Sequence, residues 1–216
     1  MNQETTRFTT FNSENFRSIC DELAVNDSDL GHILQTYGYP PMWARSNSFE
    51  TLVHIILEQQ VSLASALATL NKLKQCTGNI TPDKMLSLDD EAMRACYVSR
   101  QKAGYIRGLA MAINNRTIDL TALAELPDDS VRAKLIRLKG IGHWTIDVYL
   151  MFALQRADLF PIGDLAAVNA LRRLKQLDKG GDKEVLTMIS DTWRPFRSVA
   201  SMMLWHYYLS RAKNKS

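Results

Sequence analysis

The chain has 216 residues, and its 46% hydrophobic and 23% charged content is that of an ordinary globular protein, which excludes an intrinsically disordered chain. Lys and Arg number 26 against 23 Asp and Glu, a net charge of +3 that permits a nucleic-acid partner without demanding one. No apolar run approaches the roughly 20 residues that span a bilayer, and the N-terminus MNQETTRFTTFNSENF lacks the basic and apolar regions of a secretory signal.

Apolar residues recur almost everywhere at three- and four-residue spacing, so the expected object is all-α with ten or more short helices. A first helix is expected from Ser13, with Phe16, Ile19, Cys20 and Leu23 on one face, and a second after Asp27 and Ser28. YGYPPMW is a loop, because Pro40 and Pro41 cannot sit inside a helix. A third helix opens near Ser48 and ends at Glu58-Gln59-Gln60, after which Ser62 starts the small-residue helix SLASALATLNKL. Thr81-Pro82-Asp83 and Leu88-Asp89-Asp90 are helix starts, Ser99 caps RQKAGYIRGLAMAI, and short acid-led helices begin at Asp119 and Asp128. The terminal RAKNKS reads as a frayed basic tail. The three cysteines, Cys20, Cys76 and Cys96, are widely spaced and form no CxxC pair, so they are expected to be idle reduced thiols.

The informative stretch is Val131 to Leu154, VRAKLIRLKGIGHWTIDVYLMFAL. A helix carrying Arg132, Lys134, Arg137 and Lys139 meets a second, apolar helix through Gly140-Ile141-Gly142. The glycines permit positive φ and let a phosphate approach the backbone, while the second helix offers free N–H groups and the positive end of its dipole. Ile141 is expected to pin this hairpin to the core. A bare GxG is more often a plain helix cap; the basic residues before it and the immediate helix restart carry the functional reading.

LKGIGHWT resembles the helix-hairpin-helix DNA-binding motif, and PIGDLAAVNAL places Asp164 at 164 − 142 = 22 residues after Gly142. That pairing resembles the hairpin, Gly/Pro-rich loop and aspartate of the base-excision DNA glycosylase superfamily. With ILEQQVSLASA (Ile56 to Ala66) and WRPFRSVASMMLW (Trp193 to Trp205), the chain is similar to the 3-methyladenine DNA glycosylase II family from about Phe49 to Trp205.

The resemblance implies a single domain over residues 1–216, built as two helical lobes with a cleft between them and the hairpin at about 131–154. It implies a monofunctional glycosylase that flips out alkylated purines such as 3-methyladenine and 7-methylguanine and hydrolyses them from double-stranded DNA. Asp164 would be the catalytic carboxylate, and Trp144, Trp205 and Tyr149 the base pocket. Gly140, Gly142, His143, Thr145 and Gln60 would meet DNA. The main-chain carbonyls of Ile136, Leu138 and Ile141 would hold a structural Na+ or K+; no cofactor would be required. The chain would act as a monomer, away from membranes, in the bacterial nucleoid or a eukaryotic nucleus.

Four departures from relatives narrow the reading. Strand-cleaving relatives carry a Lys nucleophile two residues after the second hairpin glycine, where this chain has Trp144, so no Schiff base is expected. Iron–sulfur relatives carry four cysteines near the C-terminus, and none follows Arg197, so no cluster is expected. Some relatives place a leucine wedge where Gln60 stands. The 48 or so residues before Phe49 read as helical, so the β-rich N-terminal domain of some relatives is not expected.

His143 could reach a phosphate or stay solvated, and His32, His54 and His206 read as structural. Arg194 and Arg197 read as a buried ion-pair brace rather than a phosphate pair. The competing functional reading is a non-catalytic helix-hairpin-helix DNA-binding module, which would need neither Asp164 nor aromatic pocket residues.

Overall fold

The computed structural model describes residues 9–177 and 183–213. Residues 1–8, the first half of the N-terminal stretch that lacks a secretory signal's regions, lie outside it. Thirteen α-helices account for most of the described chain: α1 (Phe16–Asn26), α2 (Ser28–Tyr37), α3 (Phe49–Glu58), α4 (Leu63–Thr77), α5 (Pro82–Ser87), α6 (Asp90–Ala95), α7 (Arg100–Asn114), α8 (Leu120–Ala124), α9 (Asp128–Leu135), α10 (His143–Phe152), α11 (Leu165–Leu174), α12 (Lys183–Asp191) and α13 (Arg197–Lys213). Among the described residues the only β interaction is an isolated bridge between Thr10 and Arg156. No helix among them is long and apolar enough to cross a membrane.

Local capping explains most helix starts. The side chains of Asp27, Ser48, Ser62, Thr81, Asp89, Ser99, Asp119 and Asp164 each accept a backbone N–H in the first turn of the helix that follows. The first helix departs from expectation. It starts at Phe16, not Ser13, because Asn12 Oδ1 accepts the N–H groups of Glu14 and Asn15 and folds residues 13–15 into a turn. The expected frayed tail is also partly corrected: α13 carries Arg211 to Lys213 in regular helix, and residues 214–216 lie outside the described set.

The chain divides into two compact units, one of residues 1–44 and 150–216, the other of residues 45–149. In the first, α1, α2, α11 and α13 pack on one another around Phe16, Ile19, Leu30, Ile33, Leu171, Met203 and Leu204, all at or below 5% exposure. Asp27 is a hub of this unit. It caps α2 and accepts from Lys175 Nζ at 2.8 Å and Trp193 Nε1 at 2.8 Å. Burial pushes its carboxyl up, but the hydrogen bonds from Lys175 and Trp193 outweigh that and hold it below the ordinary carboxylate range.

Arg194 and Arg197 also belong to this unit. Both pair with Asp158 and Asp191 and brace the start of α13 as expected, but Arg194 is exposed and Arg197 only half-buried, so the expectation of a buried ion pair is corrected. His206 bonds the Tyr37 carbonyl at 2.9 Å.

In the second unit, α3 packs on α4 and α7, and α7 on α5 and α6. Leu52, Ile56, Leu73, Met85, Met93, Ile106, Leu109, Val131, Leu135 and Ile146 are fully buried. Beside them His54 flanks Glu58, which forms a two-pronged ion pair with Arg45.

Candidate active site

Asp164 stands on a tight turn. Its N–H donates to the Pro161 carbonyl at 2.8 Å, and its Oδ1 accepts Ala167 N–H at 2.8 Å as the N-cap of α11. The same oxygen accepts the indole N–H of Trp205 at 2.9 Å. Two donors on one oxygen fix the carboxylate plane. Trp205, in α13, lies between two further rings: Phe152 at 5.4 Å between centroids, and Trp43 edge-on at 6.4 Å. All three rings are partly exposed, so one unit presents a carboxylate against an accessible aromatic wall. Of the expected pocket residues, Trp205 therefore joins Asp164 directly. Trp43 and Phe152 were not anticipated; Trp43 closes the YGYPPMW loop, whose prolines signal a turn but not its aromatic neighbour.

The other unit holds the hairpin. Gly140 lies at φ +86°, the left-handed region that favours glycine. A Cβ there would overlap the Tyr105 ring of α7. The structural reason for glycine at this position is thus Tyr105, a correction to the expectation that Gly140 makes room for a phosphate. Gly142 is different: it is exposed, its φ is not positive, and a Cβ would meet nothing within 4 Å. It stands at the mouth of α10, and it is the position where backbone approach is open. Ile141 is 2% exposed and does pin the loop.

Gln59 holds the hairpin from below, its Nε2 donating to Gly140 O at 2.8 Å and Thr145 Oγ1 at 2.9 Å. Lys102 in turn donates to the carbonyls of Leu57 and Gln59 at 2.7 and 2.8 Å, closing the end of α3, and burial lowers its pKa. Gln59, Lys102 and Tyr105 were missed because their partners are far along the chain; the only sequence signal was the spacing of Lys102 and Tyr105 on one face of α7.

Two further site residues are corrected. Thr145 is 2% exposed and holds Gln59, so its side chain positions the hairpin and does not reach DNA. Tyr149 is fully buried and its hydroxyl donates to Asn47 Oδ1 at 2.7 Å, so its ring offers no open face to a base. Trp144 is partly exposed, and His143 is exposed. Gln60 is exposed at φ +58°, an uncommon backbone for a non-glycine residue. Lys134, Arg137 and Lys139 are exposed, whereas Arg132 is taken up by buried Asp147, whose carboxyl burial pushes up despite that partner. Leu138 O accepts Ile141 N–H at 3.0 Å, which leaves a second lone pair on that carbonyl.

A hairpin of this build, followed by a capping aspartate on an aromatic wall in an all-α chain, defines a helix-hairpin-helix DNA-repair fold. The chain matches the model for the HhH-GPD superfamily of base excision DNA repair proteins over residues 53–195, and it belongs to that family. It is 32% identical over 165 residues to DNA-3-methyladenine glycosylase 1 of Schizosaccharomyces pombe, covering 74% of this chain and 72% of that one. It is 30% identical over 186 residues to a Bacillus subtilis protein named as a candidate DNA-3-methyladenine glycosylase, covering 82% of this chain but 65% of the relative. Among solved structures, the S. pombe 3-methyladenine DNA glycosylase in complex with abasic DNA superposes with a TM-score of 0.81 at 29% identity, covering 87% of this chain and 95% of that chain.

Proposed function

We propose that this chain is a monofunctional DNA glycosylase that hydrolyses alkylated purines, such as 3-methyladenine and 7-methylguanine, from double-stranded DNA and leaves an abasic site. The observation that carries the reading is the Asp164 carboxylate locked by Trp205 and Ala167 beside a partly exposed aromatic wall. A DNA-binding module would need the hairpin but not this second arrangement.

The chemistry fits one carboxylate. A purine alkylated at N3 or N7 is cationic and leaves without a general acid. What remains is to stabilise the oxocarbenium-like sugar and deliver water, which a fixed anion can do. A cationic base flipped out of the duplex is attracted to an electron-rich ring face; Trp205, with Trp43 and Phe152, supplies one. Gly142, His143 and the exposed Lys134, Arg137 and Lys139 bind phosphate, in part through the N–H groups of α10. Gln60, with exposed Val61 beside it, fills the stack the base has left.

Carbonyls at a helix end are hard oxygen donors that suit Na+ or K+. Those of Ile136, Leu138 and Ile141 would hold one, and the ion would supply positive charge toward a phosphate. With Trp144 where a lyase carries its Lys, no residue at that position attacks the sugar. As a DNA-repair enzyme the chain works as a monomer at the nucleoid or in a nucleus.

The experiment is release of free 3-methyladenine from methylated duplex DNA. An unbroken product strand until alkali is added is the expected result.

A further inference from the structure

We propose that Cys76 and Cys96 form an oxidation-sensitive dithiol that a hydroperoxide converts to a disulfide joining α4 to the end of α6. The two residues are 20 apart in the chain, yet their sulfurs lie 3.1 Å apart, with the Cys96 S–H donating to Cys76 Sγ. A disulfide needs about 2.05 Å, so closing the bond asks for roughly 1 Å of movement. Cys76, in the last turn of α4, is exposed; Cys96, at the C-cap of α6, is 1% exposed. The pair thus has one sulfur that an oxidant reaches from solvent and one held behind it.

Burial and the hydrogen bond to Cys76 push the Cys96 thiol up to about 11, so it waits as a neutral thiol. That matches a resolving role. In the first step Cys76 sulfur attacks the terminal oxygen of R–O–O–H. The O–O bond breaks, ROH leaves with the proton from Cys76, and Cys76 becomes a sulfenic acid. In the second step Cys96 sulfur attacks Cys76 sulfur, the S–S bond forms, the S–O bond breaks, and hydroxide leaves with the Cys96 proton as water. Two thiols lose two electrons and the peroxide gains them. Proximity lets the second step compete with further oxidation of Cys76 to the irreversible sulfinic acid. Cys20, fully buried and pushed up to about 12 by burial and the neighbouring Asp21, serves as an unreactive internal control.

The test treats the full chain with hydrogen peroxide and reads intact mass, reactive thiols after unfolding, and the linked peptides. The expected result is a loss of about 2 Da, a fall from three reactive thiols to one, and a Cys76–Cys96 peptide that dithiothreitol reverses. Cys76→Ser, at an exposed position, should leave Cys96 reduced under the same treatment. Cys96→Ser, where it folds, should divert Cys76 to a gain of about 32 Da. Direct conversion of wild-type Cys76 to the sulfinic form, a link through Cys20, or no oxidation at all would overturn the proposal.

Discussion

The indole N–H of Trp205 reaches Asp164 Oδ1 at 2.9 Å, on the same oxygen that caps α11 through Ala167 at 2.8 Å. One carboxylate oxygen therefore ties the start of α11 to the side of α13. The bond couples two roles, because Trp205 cannot turn its ring without releasing the carboxylate. Trp205→Phe keeps an aromatic face and removes only the donor. It should lower the single-turnover excision rate more than it weakens DNA binding, and cost about 1 kcal/mol of stability. Equal losses in rate and binding would place Trp205 in base stacking alone.

The capping role and the charge of Asp164 can be separated. Asp164→Asn retains an acceptor for Ala167 and Trp205, so the fold should be unchanged. Asp164→Ala loses the cap as well and should cost about 1 kcal/mol in urea unfolding. Both should lose excision, by roughly a hundredfold or more.

The two hairpin glycines should behave differently. Gly140→Ala forces a side chain into the left-handed region and onto Tyr105, and should cost about 2 kcal/mol or more. Gly142→Ala has open space, so its stability should stay within about 0.5 kcal/mol of wild type. On the proposed phosphate contact at this backbone it should still weaken DNA binding by roughly tenfold, since a Cβ would stand in the way. Unaltered binding by a fully folded Gly142→Ala would remove the hairpin from the interface.

Exposed Lys134, Arg137 and Lys139 beside the hairpin predict counterion release on binding. The affinity for undamaged duplex, measured by anisotropy across a salt series, should fall with a log–log slope of about −2 to −5. A flat salt dependence would argue against phosphate contacts there.

Asp27 predicts an acid-sensitive fold. Its folded pKa lies below its unfolded value, so the stability it adds is present above the unfolded pKa, about 4, and is lost as pH falls through the folded pKa. Asp27→Asn still caps α2 but loses the charge facing Lys175. It should cost about 1.5–3 kcal/mol at neutral pH and flatten the fall in melting temperature below about pH 4. An unchanged acid limb would mean that other carboxylates set it.

What could be seen in the sequence was local. Caps such as Asp27, Ser48, Ser62, Ser99 and Asp164 act within three residues, so residue type and position reveal them. The hairpin was legible for the same reason, as two glycines between a basic helix and an apolar one; Asp164 alone reads as a helix cap, and its further role came from the resemblance to a family signature. Tertiary partnerships were not. Gln59 meets Gly140 81 residues away, and Trp205 meets Asp164 at a separation of 41. The buried places of Tyr149 and Thr145 follow from which face of α10 meets the core. An aromatic or hydroxyl residue at helical spacing does not disclose that. The nearness of Cys76 and Cys96, 20 residues apart with α5 and α6 between them, leaves no spacing signature either.

Hydrolytic excision through Asp164 is tested most directly by single-turnover kinetics on a duplex carrying one 3-methyladenine, run with wild type and Asp164→Asn and with borohydride present in parallel. Wild type should give free 3-methyladenine, an unbroken strand until alkali and no covalent protein–DNA adduct, and Asp164→Asn should lose release almost completely at unchanged DNA affinity. Near wild-type release by Asp164→Asn, or an adduct trapped at the rate of base release, would contradict hydrolysis through Asp164.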